Sequence, residues 1–198
     1  ALSANTTGSY NTALGAYAME ANTTASNNVA VGYQALDADT TGEQNTAVGV
    51  ASLSALTTAG NNTGVGYYSL KANTTGAQNA AFGGHTLTIN TSGANLTACG
   101  YGALYANTTG GDSTAVGKEA LNANTTAGEN TAIGSLALYT NTTGSSNVAV
   151  GHDAARLNTT GINLVAVGVD ALRTNTTGSH NTACGDDALY AVTTGDYN

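Results

Sequence analysis

The sequence predicts an all-β chain: a parallel β-solenoid, or β-roll, of about twelve 17-residue coils. Three observations predict it. One unit repeats in register from Ala1 to Asn198 without an insertion, so each unit stacks on its neighbour in one geometry. Residue types sort by position within the unit, as they do when every coil turns the same side chains inward. The composition is 41% hydrophobic but only 8% charged, with 26 Gly and no Pro. Disordered chains show the reverse balance.

The consensus is A-L-x-A-N-T-T-G-x-x-N-T-A-V-G-x-x, with columns numbered from Ala1. Eleven full units span 1–187 and a partial unit spans 188–198, a single repeat array. Column 2 is Leu except at Met19 and Ala155. Column 14 is Val, Leu, Ile, Phe or Cys, and column 15 is Gly from Gly15 to Gly185. All charged residues fall in columns 3, 5, 9, 10, 16 and 17, and all Tyr in columns 3, 10, 16 and 17. Those columns face solvent or a partner.

N-T-A-V-G, as in Asn45 to Gly49, reads as a short strand closed by Gly. The x-x-A-L-x-A-N stretch reads as a short helical turn, since Ala and Leu favour helices. Acids in column 17 (Asp153, Asp170) and bases in column 3 (Arg156, Arg173) would suit its dipole as i,i+3 pairs. The column 5 Asn fits a left-handed cap, and T-T-G a corner.

Alternation puts columns 12 and 14 on one side of the strand and column 13 on the other. Grouping column 14 with the Leu of column 2 gives a core of Leu2, Leu36, Val48, Leu70, Phe82, Val116, Leu138 and Val150. Column 13 then faces outward. It is Ala47, Ala81, Ala98, Ala115, Ala132 and Ala149 in central coils, never charged, which predicts an assembly face. Uniform Gly beside it suggests close approach by another chain. Cys99 and Cys184, both in column 14, are expected as buried free thiols. Five coils, roughly 24 Å, separate them, beyond disulfide reach.

The unit N-T-A-V-G-x-x-A-L-x-x-N-T-T-G resembles repeats of bacteriophage tail fibres and, more distantly, the S-V-A-I-G strands of trimeric autotransporter adhesin heads. The resemblance covers the whole chain. It implies a homotrimeric fibre, extracellular or on a virion surface, that supports attachment to a host glycan or receptor. Neither end carries a capping unit, so the sequence is expected to be an excerpt of a longer chain.

Other chemistry finds little footing. Four Lys plus Arg and a net charge of −8 argue against nucleic acid. No apolar window is long enough for membrane insertion. His85, His152 and His180 lie in different columns on distant coils, so no metal, cofactor or catalytic set is expected and the chain does not read as an enzyme. Stacked Asp153, Asp170 and Asp187 could form a calcium ladder, but Arg156 and Arg173 relieve their charge.

Nine N-T-[TS] sequons mark candidate glycosylation at Asn5, Asn22, Asn73, Asn90, Asn107, Asn124, Asn141, Asn158 and Asn175. Asn61 and Asn95 add two N-x-T matches. A glycosylated fibril is thus one alternative to a structural Asn. A side-wall ligand surface is another. Exposed Tyr suits sugars and stacked Thr suits ice, though adjacent Thr point to opposite faces and leave a single row on each.

Overall fold

The computed structural model covers Ala1–Asn198 and is all-β, a solenoid built on one eleven-stranded parallel sheet. Its strands are β1 (Thr12–Leu14), β2 (Val29–Val31), β3 (Thr46–Val48), β4 (Thr63–Val65), β5 (Ala80–Phe82), β6 (Thr97–Cys99), β7 (Thr114–Val116), β8 (Thr131–Ile133), β9 (Val148–Val150), β10 (Val165–Val167) and β11 (Thr182–Cys184). Each occupies columns 12 to 14 and pairs with the next in sequence, as in Thr12↔Val29 and Ala13↔Ala30. Only 20 of 129 backbone hydrogen bonds lie within the strands. The remainder include bonds between coils along the other sides, such as Leu2 N–H to Ala18 O and Thr6 N–H to Thr23 O, so stacking does not depend on the sheet alone.

No helical turn forms at columns 16 to 5. Residues of columns 2, 10 and 17 all take left-handed backbone, for example Leu121 at φ 52°, Glu129 at 61° and Glu119 at 56°. A left-handed residue costs roughly 1–2 kcal/mol outside glycine. Leu121 offsets that cost by complete burial and by donating its N–H to Ala137 O of the next coil. Helix propensity is a local preference, and here bonding between coils overrides it. The column 5 Asn is not a left-handed cap, because its backbone stays at negative φ while columns 2 and 10 turn the chain.

The strand faces are the reverse of the sequence expectation. Ala47, Ala81, Ala98, Ala115, Ala132 and Ala149 are completely buried. Of the residues assigned to the core, Phe82 and Val116 are exposed, and Val48 and Val150 are half-buried. Leu36, Leu70 and Leu138 are buried as expected, with Leu2 half-buried in the first coil. Alternation fixes which columns share a face but not which face is inside. Each layer of the interior holds one column 2 side chain, Leu in all but two coils, and opposite it the strand has room only for a methyl group. Cys99 and Cys184 follow their column outward and are exposed free thiols, not buried ones.

Column 15 requires Gly for a reason internal to the chain. Its φ lies near +130°, and a Cβ on Gly117 would sit 2.5 Å from Gly134 O of the next coil. The neighbour that approaches closely is the same chain, one coil on.

Candidate functional site

The outward face of the sheet is a long uncharged surface. Column 12 contributes Thr, Val and, at Ala80, Ala, and column 14 contributes Leu, Val, Ile, Phe and Cys, with no charge from β1 to β11. Leu14, Phe82, Ile133, Val148 and Val165 are exposed on it. Parallel strands about 4.8 Å apart make this face roughly 48 Å long.

Two Asn ladders run inside the coil, in columns 5 and 11. In column 5, the Nδ2 of Asn124 donates to Asn107 Oδ1 (2.8 Å) and to Ala127 O (3.0 Å), and the pattern recurs from Asn90 to Asn175. Asn22, Asn73, Asn90, Asn107, Asn124, Asn141, Asn158 and Asn175 are wholly buried. Their Nδ2 atoms, where a glycan would attach, donate to backbone carbonyls within their own coil. This rules out a glycan in the folded rod at eight of the nine sequons. Asn5, in the first coil, is exposed, as are Asn61 and Asn95. The second ladder, in column 11, was not foreseen. Asn147 Oδ1 accepts from Leu164 N–H at 3.0 Å while its Nδ2 donates to Gly161 O at 2.9 Å. The near-constant Asn of that column was its signal in the sequence.

Asp39 occupies a column 5 position. Its Oδ1 accepts from Gly42 N–H at 2.8 Å, but its Oδ2 is buried without a partner. Desolvation pushes its carboxyl up to about 7, against the lowering effect of the Gly42 bond. The column 6 Thr hydroxyls donate to carbonyls of the next coil, as Thr108 Oγ1 does to Thr125 O, while the column 7 Thr are exposed.

Asp153 and Asp170 pair with Arg156 and Arg173 at 3.3 Å each, as expected, but on a non-helical turn. Arg173 also reaches Asp153 across coils at 3.5 Å, and His152 lies 3.8 Å from the same carboxylate. With two guanidiniums on Asp153, the cluster is neutralised from within. The other histidines lie apart: His180 stacks on Tyr197, and His85 packs among tyrosines.

That last group is the chief irregularity of the wall. Tyr67 stacks on Tyr68 at 4.0 Å, His85 meets Tyr67 and Tyr101 edge-on, and Lys71 sits 4.0 Å over the Tyr68 ring. Beside them opens the one pocket of the rod, a cavity of about 290 Å³ lined by His85, Tyr101, Gly102, Tyr105, Glu119 and Asn122. No family model, curated protein or solved structure matches the chain.

Proposed function

We propose that the chain is a shaft segment of an extracellular or virion-surface fibre, and that copies associate side by side, three to a bundle, through the outward sheet face. The observation that carries this reading is the uncharged ladder of Val, Ile, Leu and Phe side chains left outside a core that is already full. Burying it would gain about 25 cal/mol per Å² of apolar surface. A contiguous exposed apolar face otherwise invites uncontrolled association, which a closed bundle prevents. Three copies, rather than two, is what the tail-fibre resemblance implies.

Face length matters. At about 48 Å by 10 Å, one face offers roughly 500 Å², short of the roughly 800 Å² per partner of a typical stable pair. Association therefore strengthens with each added coil, as suits a fibre.

Sedimentation of the unmodified chain from micromolar to millimolar concentration tests the reading, with a mass near three times 19.4 kDa expected at the upper end because a single face of this length is small. The double variant Val116→Glu, Val150→Glu should sediment as a monomer with its sheet signal intact. A monomeric unmodified chain would exclude the bundle.

A second reading has its own observation. Columns 12 and 14 set two outward rows side by side on one flat face, the paired arrangement that the adjacent Thr of columns 6 and 7 do not provide. Such a face could order water as an ice-binding surface. A monomer with thermal hysteresis would select this reading over the shaft.

A further inference from the structure

We infer that the notch at Gly102 is a binding site for a neutral pyranose sugar. This goes beyond the shaft reading and does not depend on it, since a monomeric rod would hold the same site.

The notch arises from a missing side chain. Column 17 carries Tyr, Gln, His, Glu, Asp, Ala or Leu on left-handed backbone, and Gly102 alone has none. Its φ of 67° matches that of His85 at 58° and Glu119 at 56°. The backbone therefore does not demand glycine there, and what glycine provides is space. A Cβ at Gly102 would lie 3.3 Å from Asn122 Nδ2 and 3.3 Å from Glu119 Cγ, so any larger residue would enter the cavity.

The lining suits a sugar on two counts. Tyr101 and Tyr105 bring aromatic rings to the cavity, with His85 between them at centroid distances of 5.6 and 6.3 Å. Aromatic rings pack well against the C–H face of a pyranose, which desolvates readily. The polar groups are acceptors waiting for donors. All four ion pairs of the chain lie within residues 152–173, so the Glu119 carboxylate has no cationic partner. Asn122 spends its Nδ2 on Gly102 O at 2.9 Å, which leaves its carbonyl oxygen to accept. A vicinal diol donates two O–H groups to such a pair, and hydrogen bonds to a charged acceptor are the stronger kind. A quaternary ammonium could use the rings and the charge but would leave Asn122 unmatched. Two aromatic rings beside a few convergent polar groups give the cleft both the contact area and the orienting groups of a small-ligand site.

The test titrates the full chain, by calorimetry and NMR, with the methyl pyranosides of glucose, galactose and mannose, and with tetramethylammonium. At least one pyranoside should bind in the millimolar range, as fits a ligand of this size in an open cleft. Gly102→Gln, which fills the notch and keeps every ring, should weaken binding at least tenfold. Tyr101→Ala and Glu119→Gln should do the same, and Tyr33→Ala, on a distant coil of the same column, should change nothing. If Gly102→Gln loses its sheet signal, Tyr101→Ala decides, since that ring is half in solvent. The inference is overturned if none of the pyranosides binds, if binding survives Tyr101→Ala, or if tetramethylammonium binds and the sugars do not.

Discussion

Replacing Asp39 with Asn should stabilise the rod at pH 8 and leave it unchanged near pH 4. Asp39 stands where neighbouring coils have a buried Asn, and its Oδ2 faces no donor. Its carboxyl is raised from 3.8 to about 7 by burial. Below pH 3.8 the group is protonated whether the chain is folded or not. Between there and pH 7 the folded chain holds a proton that the unfolded chain releases, so stability falls as pH rises. At about 1.4 kcal/mol per pH unit the ceiling is roughly 4 kcal/mol, and screening at the wall of a thin rod reduces it to about 2. Asn keeps the acceptor used by Gly42 N–H, and its Nδ2 can donate to Gly42 O at any pH, as Asn73 donates to Gly76 O and as the O–H of protonated Asp39 can do only at low pH. For a chain of this length about 2 kcal/mol corresponds to a melting shift of roughly 4–8 °C. Melting curves of both proteins from pH 4 to 8 read the effect. Asp37, also raised by burial and by Glu20, remains in both and cancels in the difference. An Asn variant no more stable than the parent at pH 8, or a gap that does not close towards pH 4, would refute the argument.

Two further outcomes follow from the coil. Gly117→Ala should cost at least about 3 kcal/mol, because φ of 136° excludes Ala and its Cβ would meet Gly134 O; a denaturant titration measures it. Asn124→Ala should cost about 1–3 kcal/mol by stranding Ala127 O and Asn107 Oδ1, whereas Asn124→Leu should cost less because Leu56 already fills that column; paired thermal melts show the order.

The repeat, its register and the parallel stacking were legible in the sequence because stacking forces the same residue type into the same column. The identity of the inner face was not. Val116 and Ala115 alternate as any strand does, and apolarity alone favoured placing Val inside. The deciding quantity is interior width, set by turns that the Ala-Leu run disguised as helix. With column 13 inside, Ala81→Glu or Ala115→Glu would bury a charge and disrupt the coil. The Asn of N-T-T was legible as structural, but its sequons competed until burial decided. The notch at Gly102 was visible only as one Gly in a column of larger residues, and its lining comes from three coils that the linear sequence separates.

The central claim is that copies meet through the outward sheet face. Cys99 and Cys184 are native reporters on it. The most direct measurement attaches a spin label to Cys99 in a Cys184→Ser background and records distances between copies. Association through this face predicts interchain distances under about 20 Å, since packed sheets lie about 10 Å apart, together with slowed label motion. A freely mobile label with no interchain distance, in a sample that sediments as an oligomer, would contradict it and move the interface to another wall of the coil.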